Sequence, residues 1–204
     1  MEYALIEQKI LEAYRSLDIC SFPIDCFEVL KKYGFRVCSY QDMGQKNPEF
    51  YQMALRYSED AFRYKKRIYY NQDVPDRRIR FSLAHEFGHC VLNHRGENPK
   101  QELEANYFAG RFLAPAMAIH YTHCRNAKDV SNVFDISLEA AGYAYRNYQS
   151  WVRSAARRMS AYDKAMYEHF YDTEKKKFIC RRSPSFPWSE ELSLENHMVL
   201  GEEV

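Results

Sequence analysis

The sequence predicts an α+β fold, mostly helical, with a small antiparallel or mixed sheet packed on a central helix that carries an HExxH pattern. Three observations predict it. Apolar residues recur at three- and four-residue spacing over most of the chain, short tracts rich in tyrosine and isoleucine interrupt that pattern before residue 72, and brief turn signals separate the two kinds of tract. With 204 residues, 46% of them hydrophobic, the chain can fill the core of one compact domain, or of a domain with a small appendage.

The first helix is marked by Ile6, Ile10, Tyr14 and Leu17, with acidic and basic residues between them, unlike the apolar core of a signal peptide. A second follows in "SFPIDCFEVLKKYGF", where Pro23 stands near the start, Ile24, Phe27, Val29 and Leu30 are apolar, and Gly34 supplies a C-terminal cap. A short strand is expected at "RVCSY". Gly44, Asn47 and Pro48 mark a loop between Gln41 and Pro48, after which "YQMALRYS" and "RIYYN" (67–71) read as strands. Asp73, Pro75 and Asp76 then begin a helix that carries Leu83 through Leu92. Another helix spans about 100–114 and stops before Pro115. Two more contain Val130, Val133 and Phe134, then Ala140, Ala141 and Tyr145, separated by a turn at Asp135 to Ser137 with Ser137 as N-cap. A long amphipathic helix is expected from Ser150 to about Phe170, followed by "SPSFPWSEELSLENHMVLGEEV", an arm or tail without a clear period.

Charge and composition narrow the function. A formal charge of +1 steers the molecule strongly toward neither nucleic acid nor an anionic membrane. The basic runs "RYKKR" (63–67) and "EKKKFICRR" (174–182) are read as solvated faces, against an acidic tail with Glu190, Glu191, Glu195, Glu202 and Glu203. The helical pair over 129–148 has a helix-turn-helix outline. Its charges are Asp129, Asp135 and Glu139 against Arg146, net −2, the wrong sign for a phosphate-contacting surface. No stretch approaches the roughly 18 consecutive apolar residues of a membrane span. The six cysteines lack C-x-x-C spacing and are read as free thiols of a soluble, cytoplasmic protein.

The chemistry concentrates in "AHEFGHCVLNH", residues 84–94, which holds three of the seven histidines. On a helix each residue advances about 100°, so His85 and His89 lie about 40° apart on one face and two imidazoles can meet one metal ion. Glu86 lies about 100° round from His85, outside the same inner shell but close enough to hold a water and take its proton. By the same arithmetic His94 stands about 180° from His85, and if the helix continues that far it faces away. Gly88 costs about 1 kcal/mol relative to alanine inside a helix, which suggests close approach of a neighbouring backbone or of substrate. Catalytic zinc needs a third protein ligand. In "QELEANYFAGRFLAP" the apolar face is Ala105, Phe108, Ala109, Phe112 and Leu113; Glu102 lies about 50° from its centre and Glu104 about 110°. Glu102 is therefore the expected ligand, with Glu104 the alternative and Asn106 a candidate to orient a ligand. The rival group His120, His123 and Cys124 has no carboxylate base between its imidazoles.

These residues carry a resemblance. "RIRFSLAHEFGHCVLNH" resembles the core helix of the ImmA/IrrE family of gluzincin-like zinc metallopeptidases, and "ELEANYFAGRFLAP" is similar to that family's second signature, an acidic E-x-E-A-N-x-F-A stretch ending in "LLMP", here "FLAP". "RIYYN" and "VSNVFDISLEAAGYAY" extend the likeness over about residues 20–148. The resemblance implies zinc held by His85, His89 and a glutamate, with Glu86 as general base. Residues 1–150 would form the metallopeptidase domain, and 151–204 a helical extension and tail within it or appended to it. Characteristic members cleave a helix-turn-helix transcriptional repressor, so a protein substrate of that kind is implied. The competing expectation is a metal-containing binding protein that sequesters a repressor without hydrolysis. Substrate is expected to dock at the sheet edge near Arg67 to Asn71.

Overall fold

The computed structural model describes residues 3–96, 98–155, 159–175 and 177–180. Its elements are α1 (Tyr3–Ser16), α2 (Cys26–Lys32), β1 (Arg36–Ser39), α3 (Tyr40–Lys46), α4 (Pro48–Tyr57), β2 (Ala61–Tyr64), β3 (Arg67–Tyr70), α5 (Asp76–Val91), α6 (Pro99–Leu113), α7 (Ala116–Tyr121), α8 (Ala127–Phe134), α9 (Leu138–Ala155), α10 (Ala161–Phe170), and the short pair β4 (Tyr171–Asp172) and β5 (Lys177–Phe178). The fold is α+β and mostly helical, as the sequence predicts.

The N-terminal helices form where apolar spacing and capping agree. Along α1, Ile6, Ile10, Ala13 and Tyr14 are buried on one side. Asp25 starts α2 by accepting the backbone N–H groups of Phe27 and Glu28 at 3.0 and 3.1 Å.

Two segments between residues 40 and 58 depart from the expected loop and strand. Tyr40–Lys46 is a helix capped by Ser39, and "YQMALRYS" falls within α4 apart from Ser58, its C-cap. The reason is legible in retrospect: Asn47 caps the backbone N–H groups of Glu49 and Phe50, Pro48 occupies the first turn, and Phe50, Tyr51, Ala54 and Leu55 recur at helical spacing. Those four side chains belong to a small cluster with Tyr40 and Tyr69 on one face of the sheet. Helical packing outweighs the strand preference of tyrosine.

The sheet is mixed, in the order β1-β3-β2. β1 runs parallel to β3, while β2 pairs antiparallel with it, Ala61 opposite Tyr70 and Tyr64 opposite Arg67. β3 is therefore the central strand, which corrects its expected place as an edge; the edge beside α5 belongs to β2, a strand not foreseen from "AFRY". α5 packs against β2 and β3 on one side and α6 on the other.

The main core joins both ends of the described chain. Tyr14 stacks on Phe112 with ring centroids 5.1 Å apart, and Phe22 meets Phe134 and Phe170 at 5.3 and 4.7 Å. Met166, Phe170 and Phe178 share that cluster with Phe87, Phe108 and Phe112. Ser137 caps α9 as expected, accepting the Ala140 N–H at 3.2 Å, after Asp135 ends α8 in the left-handed conformation at φ 56°.

The expected helix from Ser150 to Phe170 is two helices. α9 reaches Ala155, and Ser160 is extended (φ −71°, ψ 162°) and begins α10 through a reciprocal capping box with Asp163. That Ser-x-x-Asp signal lies within a continuous amphipathic pattern. The final arm and acidic tail lie outside the described residues, and no helix among those described is long and apolar enough to cross a membrane.

Candidate metal centre

The seam between α5 and α6 is close because Gly88 lies against Phe108. A Cβ at Gly88 would stand 3.0 Å from Phe108 Cδ1 and 3.2 Å from its Cβ, so the neighbour that needs the space is a side chain, in place of the expected backbone or substrate. The buried Phe108 ring is held between Phe87 and Phe112, at 5.7 and 5.5 Å, and has no room to withdraw. Overpacking of about 1–3 kcal/mol therefore opposes the gain of about 1 kcal/mol in helix propensity. Gly88→Ala is expected to lower the melting temperature, by about 1 kcal/mol of net stability; a raised midpoint by circular dichroism would contradict this packing.

Across that seam three side chains converge. His85 Nε2 and His89 Nε2 stand 2.9 Å apart, and the Glu102 carboxylate oxygens lie 3.2 Å from the first and 3.3 Å from the second. The two imidazoles are largely buried, whereas the Glu102 side chain is 49% exposed at the mouth of the site. Among the described residues these three are the group of His, Cys, Asp and Glu side chains whose donor atoms come close enough to hold one metal ion.

The donor chemistry fits such an ion. Asn106 Oδ1 faces His85 Nδ1 at 2.9 Å. An amide oxygen only accepts, so His85 Nδ1 carries the hydrogen and its Nε2 presents a lone pair to the convergence point. Burial and the neighbouring His85 ring depress the His89 pKa to about 4, which keeps that imidazole neutral as a ligand must be. Two imidazole nitrogens and a carboxylate suit zinc, and manganese and iron accept the same ligands.

Glu104, the alternative ligand, turns elsewhere: its Oε2 lies 3.3 Å from His94 Nε2 and its Oε1 lies 3.7 Å from Lys100 Nζ. His94 does not face away. α5 stops at Val91, Asn93 takes a left-handed φ of 55°, and the His94 N–H bonds to the His89 carbonyl at 2.9 Å. The buried His94 ring then places its Nδ1 3.1 Å from His89 Nδ1. The 180° position holds only for a helix that runs on to residue 94; Asn93, a residue that tolerates the left-handed region, is the signal that ends it.

Glu86, one position past His85, lies in the same cleft of about 760 Å³, which is also lined by Tyr57, Phe62, Arg63, Phe81 and Asn106. Burial pushes its carboxyl pKa up to about 7, against the charge and backbone N–H of Arg63, which favour the ionised form. A carboxylate poised near neutrality is matched to accepting a proton. The same burial has a stability cost. The folded state holds the Glu86 proton more tightly than the unfolded chain does, so the stabilising term is complete below pH 4.5 and is lost as pH rises through about 7. In metal-free protein, Glu86→Gln is thus expected to raise the melting temperature over the parent at pH 8 and to make little difference at pH 4. A difference independent of pH would contradict the assignment.

The rival residues do not assemble. His120 Nδ1 is 3.3 Å from the Tyr148 hydroxyl, and Cys124 Sγ is 3.5 Å from Thr122 Oγ1. Arg63 was missed because it heads a basic run that reads as a solvated face, and nothing in its spacing reveals that its backbone N–H meets Glu86.

A peptidase family whose description is the IrrE N-terminal-like domain matches residues 31–146, a span that contains β1 to β3, the α5–α6 seam and α8. No curated protein matches the chain.

Proposed function

Because the chain belongs to the ImmA/IrrE peptidase family, matched through its IrrE N-terminal-like domain, we propose that it is a zinc-dependent endopeptidase in which Glu86 is the general base and His85, His89 and Glu102 hold the metal. The observation that carries this reading is the juxtaposition in one cleft of a convergent His-His-Glu donor set and the partly buried Glu86 carboxyl, one residue past His85. Zinc bound there supplies Lewis acidity toward water and toward the scissile carbonyl.

The protein's own residues do the rest. Asn106 fixes the His85 ring, so its Nε2 is directed into the cleft. The Arg63 backbone N–H aims the Glu86 carboxylate, which accepts the proton of the attacking water and returns it to the departing amine. β2 borders the cleft through Ala61, Phe62 and Arg63. We place the extended substrate along this strand, in place of β3, where it can add as a further strand. A cross-link from bound peptide to β3 alone would rule out that placement.

The substrate we infer is a helix-turn-helix transcriptional repressor or another cytoplasmic regulator, which rests on the resemblance of the two motifs to the family's signatures. The six free thiols are in keeping with a reducing compartment. The test is intact-mass analysis of a repressor encoded beside this gene after incubation with the zinc-loaded protein. Discrete fragments formed by the parent and not by Glu86→Gln are expected. An intact repressor that binds both proteins would favour sequestration and overturn the peptidase reading.

A further inference from the structure

We propose that Glu104 and His94 form a two-residue relay that fixes the tautomer and ring orientation of His89, making them positioning residues for the metal site. The inference rests on the proposed site for its metal, and it depends on no peptidase activity.

Glu104 presents a carboxylate oxygen 3.3 Å from His94 Nε2. A carboxylate accepts, so the hydrogen of a neutral His94 sits on Nε2, and Nδ1 bears the lone pair. The opposite tautomer would set a lone pair against the carboxylate. His94 Nδ1 lies 3.1 Å from His89 Nδ1, and two facing ring nitrogens bond only if one carries hydrogen. That hydrogen must belong to His89 Nδ1. His89 Nε2 is then bare, and it is the atom that meets His85 Nε2 at 2.9 Å and Glu102 at 3.3 Å.

The surroundings support the role. His94 is 7% exposed, its carbonyl accepts from Arg63 Nη2 at 3.3 Å, and the left-handed Asn93 turn folds it back beside α5. Each ring of the histidine pair thus has its own outer partner: Asn106 for His85 and the His94–Glu104 pair for His89. Glu102 and Glu104 sit on one helix and divide the work, one carboxylate at the convergence point and one behind it. Loss of an outer partner that orients a metal-ligating histidine weakens metal binding about 10- to 100-fold.

The test is zinc affinity, measured by competition of zinc chloride with a chromophoric chelator, for the parent, His94→Phe, Glu104→Ala and Glu104→Gln. The first two variants are expected to bind zinc about 10- to 100-fold more weakly. Glu104→Gln keeps an oxygen acceptor for His94 Nε2 and is expected to rescue most of the loss. A second measurement needs no variant. Long-range proton–nitrogen NMR on the zinc-loaded parent should show hydrogen on His89 Nδ1 and on His94 Nε2. Unchanged affinity in both His94→Phe and Glu104→Ala, or hydrogen on His94 Nδ1, would overturn the relay while leaving the metal site standing. A parent that binds no zinc would overturn both, and zinc binding without cleavage would count against the proposed reaction alone.

Discussion

Glu86→Gln is expected to reduce peptide hydrolysis by at least 10²- to 10⁴-fold, the usual contribution of a positioned general base, with zinc content unchanged. Glutamine preserves the volume of the side chain, and its amide oxygen can still accept the Arg63 N–H. What it loses is the ability to take a proton. Because Glu86 is not among the three side chains at the convergence point, the substitution separates proton transfer from metal binding. Initial rates and metal analysis of the same preparation check both halves. A variant that retains most of the parent's rate would remove Glu86 from the reaction, and a variant that loses zinc would move it into the coordination sphere.

Removing the metal is expected to have an effect as large. A strong chelator should bring hydrolysis to background, and zinc should restore it. His89→Ala should be inactive and refractory to rescue, since three protein ligands are required for a catalytic zinc and Glu102, half exposed, cannot hold the ion with one imidazole. Zinc should also stabilise the parent by mass action, about 2.7 kcal/mol at one hundred times the dissociation constant, and should leave the melting temperature of His89→Ala unmoved. Hydrolysis that survives chelation, or equal zinc stabilisation of both proteins, would contradict the proposed ligands.

Much of the fold that surrounds this site was legible in the sequence because the signals there are local. α6 carries an apolar face at helical spacing, Asn98 and Pro99 open it, and face arithmetic along it anticipates that Glu102 and Glu104 stand in different places relative to the seam. Other features depend on contacts distant in sequence. α4 reads as a strand from its tyrosines until its apolar side is seen to pack on Tyr40 and Tyr69. β3 reads as an edge until β1, which pairs parallel with it although α3, α4 and β2 intervene, covers it. The place of His94 depends on one residue, because Asn93 ends the helix before the 100° progression can carry the ring to the far side. The break at Ser160 is a capping signal inside an otherwise continuous pattern.

The chemistry shows the same division. A two-histidine helix with an adjacent glutamate offers its candidates from spacing alone, but the burial that raises the Glu86 pKa is recorded by no local pattern. The relay behind His89 likewise needs the end of α5 and the middle of α6 in contact.

The most direct test of the central claim is to incubate a mixed cytoplasmic protein extract with zinc-loaded parent, chelator-stripped parent and zinc-loaded Glu86→Gln, and to map newly formed N-termini by mass spectrometry. Metal-dependent peptide hydrolysis with Glu86 as base predicts a defined set of new termini from the loaded parent, absent from the other two. The same termini produced by Glu86→Gln, or none produced by the loaded parent, would contradict it.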